Sequence, residues 1–297
     1  MNRLKYLLGP ARPPFLLLTP ACVALGVGTA VWTTGHVAPI DVVIVLIGAL
    51  AAHVSVNALN EYFDFKSGLD FRTQRTPFSG GSGTLPQKPE YAPHALAIGV
   101  GSFIITALVG VYFLAKRGLA LLPLGVLGLA IVGAYTVWIT RRPLLCLVAP
   151  GLGFGPLMVM GTNFALTGQY TWTAFVASLV PFFLVSNLLL LNQFPDVEPD
   201  RQVGRRHLPI VLGRRAASIV YGAFLLLAYV ALVAGVFAAY LPRASLFGLI
   251  TVVAAVPAAI GAYKHADNVQ GLLPFMTANV LINLLTPVLV AVGLFIS

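Results

Sequence analysis

The sequence predicts an all-α, polytopic membrane protein with a bundle of about nine transmembrane helices. Of its 297 residues, 58% are hydrophobic and only 9% are charged, whereas about a quarter of the residues in an ordinary soluble domain are charged. A soluble fold of this composition would expose more apolar surface than water tolerates. Apolar segments of about twenty residues recur along the chain, which is the length that an α-helix needs to cross a bilayer. They are too long and too uniformly apolar for the strands of a transmembrane barrel.

Nine segments have this length, and we expect them to form a single domain over residues 1–297. The first segment follows a basic N-terminus and is longer than the apolar part of a signal peptide, which predicts an uncleaved span. The fifth segment is rich in glycine and proline and has the weakest helical signal. In chain order the predicted spans are 14–33, 40–60, 92–115, 119–139, 144–167, 172–193, 216–240, 244–264 and 272–296.

The basic residues predict the orientation of this bundle. Of the 18 Lys and Arg residues, all but Lys116, Arg117 and Arg243 fall on the side of the N-terminus. Cytoplasmic loops carry the excess of Lys and Arg, so the N-terminus is expected in the cytoplasm and the C-terminus outside. The net charge of +9 is thereby assigned to topology and membrane lipid, and no nucleic-acid partner is expected. We expect an integral protein of a bacterial or archaeal cytoplasmic membrane.

The acidic residues cluster at two places, each at the cytoplasmic end of an even-numbered span. Both places contain the pattern Asn-[Glu/Gln]-x-x-Asp. Residues three or four apart share a face of a helix, so Asn57, Asn60 and Asp64 are expected on one polar stripe that faces an internal cavity. Pro195 and Pro199 predict that the helix bends or ends at the second motif. The two clusters are Glu61, Asp64 and Asp70, and Asp196, Glu198 and Asp200.

Two such clusters favour a hard divalent cation. Oxygen ligands without Cys or His suit Mg²⁺, which takes one or two carboxylates and completes its shell with water and substrate phosphate. Two clusters across a cavity would hold two ions and clamp a diphosphate between them. Arginines interleaved with the acids favour phosphate binding; they are Arg72, Arg75, Arg201 and Arg205. The alternatives are solvated loop acids that pair with these arginines, and arginines that serve topology and contact anionic lipid.

Other features have a weaker signal. Cys22 and Cys146 belong to no CxxC motif or Cys/His cluster, which argues against a disulfide framework and a zinc site. The Gly-rich stretch 79–86 could direct backbone N–H groups at an anion, but it lacks the Lys-[Ser/Thr] of a P-loop. A mobile cap and a simple loop therefore both stay open. His207 has no ligand spacing and is expected to be solvated.

The motifs resemble those of the UbiA superfamily of intramembrane prenyltransferases. Asn192-x-x-x-Asp196-x-x-x-Asp200 is similar to the second Asp-rich motif of that family, and Asn60-x-x-x-Asp64 is similar to the first. The final acid of the first motif is Asp70, and this longer form resembles the menaquinone-type branch, which prenylates 1,4-dihydroxy-2-naphthoate. The stretch Phe154-Gly-Pro-Leu-Met-Val-Met-Gly161 is similar to that branch as well.

The resemblance implies a bundle around a cavity open to the cytoplasm and a Mg²⁺-dependent prenyl transfer. Two Mg²⁺ ions would be held by Asp64, Asp70, Asp196 and Asp200. The donor would be a prenyl diphosphate that ionises to an allylic cation, and the acceptor a small aromatic ring in quinone biosynthesis. Asp64, Asp196 and Tyr135 would be catalytic, with Tyr135 facing the acceptor or the cation. Asn57, Asn60 and Asn192 would orient ligands or bind phosphate, beside the four arginines named above.

A cation-coupled membrane transporter is the main alternative, because transporters also have intramembrane polar residues and internal repeats. Their sites usually lie near the middle of the membrane, whereas these acids lie at the cytoplasmic ends of spans among arginines. A lipid-binding scaffold is a third possibility, but a scaffold would give the paired acidic motifs no role.

Overall fold

A computed structural model describes residues 3–297, and the regular structure of this part of the chain is entirely helical. Eight helices are long and apolar enough to cross a membrane, and a ninth apolar helix, α4, is shorter. The helices are α1 (Pro13–Thr34), α2 (Pro39–Lys66), α3 (Pro89–Arg117), α4 (Leu119–Ala134), α5 (Pro143–Thr167), α6 (Trp172–Asn192), α7 (Arg214–Phe237), α8 (Arg243–Lys264) and α9 (Val269–Phe295).

The all-helical membrane fold is confirmed, and each predicted span coincides with one of these helices. Two ends differ by five residues or more: α2 continues to Lys66 rather than ending at residue 60, and α4 ends at Ala134 rather than at residue 139. The chain turns there, and the backbone N–H of Thr140 donates to the carbonyl of Tyr135 at 3.1 Å. The Thr140 hydroxyl donates to the carbonyl of Thr136 at 2.8 Å, a side-chain bond that competes with helical backbone pairing.

One half of the bundle is densely packed around α6, which is the most buried of the long helices. Side chains of α1, α7, α8 and α9 pack against it in one continuous apolar core. The central part of α5, Gly153–Met160, is a π-helix and lies directly against α6. A Cβ atom at Gly155 would stand 2.5 Å from the carbonyl oxygen of Ser178, so this contact requires glycine.

The other half of the bundle is open. None of the residues in Leu122–Ala134 of α4 is buried, although α4 lies beside α2, α3 and α5. A cavity of about 560 Å³ occupies the space that these helices enclose with the ends of α1 and α6. Membrane proteins place unpaired polar groups and irregular backbone against such internal cavities rather than against lipid.

The two ends of the bundle carry different charged groups. At one end, the segment after α6 folds back over the cavity, and the backbone N–H of Arg206 donates to the carbonyl of Thr140 at 3.0 Å. At the opposite end, the buried Asp41 of α2 pairs with Lys116 at 2.6 Å and with Arg117 at 3.3 Å. These ion pairs join the N-terminal end of α2 to the C-terminal end of α3.

Candidate active site

The acidic motifs meet at one end of the cavity. Nine of the residues singled out from the sequence line it, whereas Arg72, Arg75 and Arg201 lie outside its lining. The nine are Asn57, Asn60, Asp64, Asp70, Tyr135, Asn192, Asp196, Asp200 and Arg205. This polar end opens into an apolar interior, so the cavity has two chemically distinct parts.

Helix α2 positions the first motif because it continues as a helix to Lys66. Asn57, Asn60 and Asp64 therefore lie on one face, as their spacing predicts. The Asn57 amide donates to the carbonyl of Ala11 at 3.0 Å, and the Asn60 amide donates to the Thr136 hydroxyl at 3.2 Å. These bonds join the face to the N-terminal segment and to the turn after α4.

The second motif reaches the cavity from irregular backbone. Helix α6 ends at Asn192, and the chain turns through Pro195 before a short helix, Val197–Gln202, carries Asp200. Asn192 and Asp196 therefore do not share a helical face. The turn nevertheless brings both side chains to the cavity, opposite the first motif.

Arg205 connects the two motifs. Its guanidinium contacts the carboxylate of Asp64 on α2 and donates to Oδ1 of Asp200 at 3.0 Å. The other Asp200 oxygen, Oδ2, lies 3.0 Å from Nε2 of His207. His207 is 1% exposed, so the expectation that it is solvated is wrong. The segment after Asp200 folds inward over the site and buries this histidine. The sequence around His207 contains no pattern that predicts this fold-back.

Arg12 is a site residue that the sequence reasoning counted only toward topology. It lines the cavity, and its Nε donates to Oε1 of the fully buried Glu61 at 2.8 Å. The backbone at Arg12 is left-handed, with φ of 50°, and turns the chain from a short N-terminal helix, Arg3–Leu8, into α1. The available signal was the position of Arg12 between an alanine and two prolines, just before the first span.

The Gly-rich stretch forms part of the cavity wall. Ser79, Gly80 and Gly81 line the cavity, and the Ser82 hydroxyl donates to Oε2 of Glu61 at 3.0 Å. Gly81 has a φ of 72°, a conformation that favours glycine. Glu61 thus holds both this stretch and Arg12 against α2.

The donor set of the polar end fits a hard divalent cation. Oδ2 of Asp70, Oδ1 of Asn192 and Oδ1 of Asp196 are buried without a hydrogen-bond partner among the described residues. Burial and the carboxylates of Glu61 and Asp64 raise the pKa of Asp70 to about 8. Burial and the Asp200 carboxylate raise the pKa of Asp196 to about 7. Buried carboxylate and amide oxygens of this kind are the donors that a hard cation accepts.

The carboxylates do not form a compact cage. Within residues 3–297, no three His, Cys, Asp or Glu side chains stand close enough together to hold a metal ion by themselves. This arrangement is compatible with Mg²⁺, which retains waters and binds through one or two carboxylates together with substrate phosphate oxygens.

The three arginines outside the cavity lining have surface contacts. Arg72 donates to Oε1 of Gln202 at 3.3 Å, and Arg201 pairs with the exposed Glu198 at 3.4 Å. The guanidinium of Arg75 lies against Gly83 of the Gly-rich stretch. Their assignment to phosphate binding stays a prediction.

The apolar interior of the cavity runs between α2, α3, α4 and α5. His53 lies where the polar end gives way to this interior, with Nδ1 2.8 Å from the Thr19 hydroxyl and its ring edge-on to Phe154. Beyond it the lining is formed almost wholly by aliphatic side chains and glycine.

Comparison with known proteins points to one family. The model of the UbiA prenyltransferase family matches residues 17–280. The 1,4-dihydroxy-2-naphthoate octaprenyltransferase of Bacillus subtilis (strain 168) is 30% identical over 192 residues, which is 62% of this chain and 59% of that protein. The alignment therefore spans less than two thirds of that relative. The 2-carboxy-1,4-naphthoquinone phytyltransferase of Synechocystis is 22% identical over 273 residues, 89% of this chain and 83% of that protein.

Solved structures share the fold. The apo structure of a UbiA homolog from Aeropyrum pernix K1 superposes with a TM-score of 0.72 at 18% identity, and covers 95% of this chain and 98% of its own. A UbiA homolog from Archaeoglobus fulgidus bound to DMAPP and Mg2+ superposes with a TM-score of 0.60 at 13% identity, and covers 99% and 100%.

Proposed function

Because this chain belongs to the UbiA prenyltransferase family, we propose that it transfers an isoprenyl group from its diphosphate to an aromatic acceptor, with Mg²⁺ as cofactor. The observation that carries the proposal is the two-part cavity, in which carboxylates and guanidinium groups meet an apolar interior. A prenyl diphosphate has the same two parts. Its charged head matches the polar end and its hydrocarbon tail matches the interior.

The charge balance of the polar end supports divalent cations. Four aspartates line the cavity against two arginines, Arg12 and Arg205. A diphosphate anion would be repelled by this excess of carboxylate unless cations accompanied it. The residues that would hold Mg²⁺ are Asp64, Asp70, Asp196 and Asp200, and their division between two walls favours two ions. Bound Mg²⁺ would neutralise the charge that develops on the departing diphosphate.

The reaction begins when the carbon–oxygen bond of the donor breaks and the electron pair leaves with the diphosphate. Arg205 stabilises that charge from between the two motifs. An allylic cation remains, and a ring carbon of the acceptor supplies the electrons for the new carbon–carbon bond. The ring regains its aromaticity when that carbon loses its proton or its carboxylate, which leaves as CO₂. Tyr135 lines the same cavity and faces the cation or the acceptor in this proposal. Asn57, Asn60 and Asn192 orient the ligands of the head group.

For the acceptor, we favour 1,4-dihydroxy-2-naphthoate or a related quinone precursor. Several relatives are named for naphthoate or naphthoquinone prenylation, and these include the two reported above. The product would then serve menaquinone or lipid quinone biosynthesis. The distribution of Lys and Arg supports a cytoplasmic N-terminus, an external C-terminus and a polar end that opens to the cytoplasm.

The test is an acceptor panel. Membranes that contain the protein receive radiolabelled prenyl diphosphate, Mg²⁺ and one aromatic acid at a time, and the lipid-soluble product is identified by mass. A prenylated, decarboxylated naphthoquinol is the expected product, and EDTA should abolish it. Product with a different acceptor would retain the reaction and refute the naphthoate assignment. If no acceptor yields product and no diphosphate is released, the enzyme proposal fails and a cation-coupled transporter becomes the better hypothesis.

A further inference from the structure

We propose that His207 positions Asp200 so that this carboxylate presents only one of its two oxygens to a divalent cation, and that the site thereby prefers Mg²⁺ to the larger Ca²⁺. This inference rests on the proposed function and specifies the cofactor of the same site. It starts from a buried hydrogen bond that the reaction outlined above leaves without a role.

The His207 ring has a single polar partner. Its Nε2 lies 3.0 Å from Oδ2 of Asp200, and its Nδ1 is buried without a partner among the described residues. Because an ionised carboxylate only accepts hydrogen bonds, Nε2 carries the hydrogen and donates it to Oδ2. The hydrogen-bonding capacity of the ring is therefore directed at Asp200 alone.

The backbone on both sides of His207 holds the ring in place. The N–H of the preceding residue, Arg206, donates to the carbonyl of Thr140 at 3.0 Å. The carbonyl of His207 accepts from the N–H of Ile210 at 3.0 Å, where a short helix, Leu208–Leu212, begins. The ring is therefore fixed relative to the cavity wall, and its hydrogen bond restricts the rotation of the carboxylate that it holds.

Asp200 differs from the other three aspartates of the polar end. Among the described residues, it is the only one of the four with a side-chain partner on each oxygen, since Arg205 donates to Oδ1 at 3.0 Å and His207 donates to Oδ2. By contrast, Oδ2 of Asp70 and Oδ1 of Asp196 are buried without a partner. The two partners of Asp200 also differ from each other, because the Arg205 guanidinium is shared with a second aspartate.

These two partners should respond differently to a bound donor. A diphosphate brings oxygens that an arginine binds in the same way as a carboxylate, so Arg205 has an alternative to Oδ1. His207 has one hydrogen to donate and remains on Oδ2. Asp200 then presents Oδ1 to a cation, while the bond to His207 keeps Oδ2 from becoming a second ligand.

A carboxylate that offers one oxygen favours Mg²⁺. This ion requires a near-octahedral shell with short bonds, whereas Ca²⁺ takes about six to eight ligands in a flexible shell and often binds both oxygens of one carboxylate. Hydrogen bonds that orient a ligating side chain typically change metal affinity by about 10- to 100-fold. Loss of the bond from His207 should therefore weaken Mg²⁺ binding by about this factor and Ca²⁺ binding by much less.

The test is His207→Phe, which keeps an aromatic ring and removes the donor. Mg²⁺ and Ca²⁺ are titrated separately into the purified protein with dimethylallyl S-thiolodiphosphate, a donor analogue that resists ionisation, and the shift of the thermal midpoint gives each Kd. The variant should lose about 10- to 100-fold in Mg²⁺ affinity, with a smaller loss for Ca²⁺ and an unchanged KM for the acceptor. His207→Gln should retain most of the preference for Mg²⁺, because its amide Nε2 also donates.

The matched control is His265→Phe. The His265 ring stacks on Phe275 with the ring centroids 5.6 Å apart, and it lies outside the cavity lining. The control variant should therefore keep both wild-type affinities. A change in its preference between the two ions as large as that of His207→Phe would refute a specific role for His207.

The ratio of the two affinities decides the inference. Wild-type Mg²⁺ affinity in His207→Phe would refute it, and so would equal losses for the two ions, which would assign His207 to packing alone. If His207→Phe does not fold, His207→Gln decides: retention of the preference for Mg²⁺ supports the inference, and its loss refutes it. A wild type that binds no Mg²⁺ with the analogue and releases no diphosphate from any donor would instead contradict the proposed function.

Discussion

Asp196→Asn tests whether the unpaired oxygens of the polar end are cation ligands. Oδ1 of Asp196 is buried without a partner among the described residues. Burial and the Asp200 carboxylate raise the pKa of Asp196 from 3.8 to about 7. The folded protein therefore binds this proton more tightly than the unfolded chain. As a result, the free energy of unfolding falls as the pH rises from about 4 to about 7.

The size of this effect follows from the pKa shift. A difference of about three pKa units corresponds to about 4 kcal/mol of stability that the metal-free wild type loses across this pH range. Asparagine has no proton to lose, so Asp196→Asn should lack this component and become more stable relative to the wild type at about pH 8. Mg²⁺ should offset most of this difference, because a cation present at 100 times its Kd stabilises the wild type by about 2.7 kcal/mol.

Thermal unfolding in detergent, at about pH 5 and about pH 8 and with EDTA or Mg²⁺, measures these differences. Prenyl transfer by the variant should fall by about 10²- to 10³-fold. Glu198→Gln is the matched control, because the Glu198 side chain is 61% exposed and pairs with Arg201 at the surface. A variant that keeps the full Mg²⁺ stabilisation, or normal turnover, would refute the assignment of Asp196 as a ligand.

Three further substitutions separate the roles of the buried charges. Arg205→Ala should raise KM for the prenyl diphosphate about tenfold or more and KM for the acceptor by less, and Arg205→Lys should recover part of the loss. A larger rise in KM for the acceptor than for the diphosphate, measured by steady-state kinetics, would exclude a phosphate role. Glu61→Gln should lower the free energy of unfolding by about 3 kcal/mol, because it leaves the Arg12 guanidinium without its charged partner. An unchanged thermal midpoint would contradict this prediction. The control is Glu90→Gln, because Glu90 forms an exposed pair with Lys88. Asp41→Asn should lower the thermal midpoint but leave KM for a dimethylallyl donor unchanged, because its ion pairs lie at the opposite end of the bundle; kinetics that change in parallel with stability would refute this separation.

The helices and the first motif could be predicted because they depend on local pattern. Runs of apolar residues long enough for a bilayer leave the backbone no alternative to the helix. The spacing of Asn57, Asn60 and Asp64 then places them on one face, whatever the rest of the fold does. The end of α4 at Ala134 was missed because aromatic and β-branched residues continue the apolar run beyond it. Hydropathy does not register a turn made by backbone and hydroxyl groups.

The remaining site residues depend on contacts between distant segments. Arg12 meets Glu61 across 49 residues of sequence, and no periodicity encodes that meeting. His207 is buried because the segment after α6 folds back over the polar end, and its partner Asp200 lies seven residues earlier without a helix to join them. Arg72 and Arg201 stand next to the motifs in sequence but turn to the surface. Proximity in sequence therefore did not indicate which arginines line the cavity: Arg72 and Arg201 lie outside its lining, and Arg12 lies within it.

Arg205 makes the two motifs depend on each other. Its guanidinium is shared between Asp64 and Asp200, two carboxylates that would also hold Mg²⁺. Each cation that binds these oxygens competes with the guanidinium for them, and a buried guanidinium without an acceptor is costly. The diphosphate brings new acceptor oxygens to the same place. We therefore expect the ion pairs with Asp64 and Asp200 and the contact with the phosphate to be alternative states of the Arg205 side chain. This exchange would couple the binding of Mg²⁺ to the binding of the donor. The Mg²⁺ affinity should therefore be weaker without donor than with a donor analogue. Arg205→Ala should reduce the difference between these two affinities.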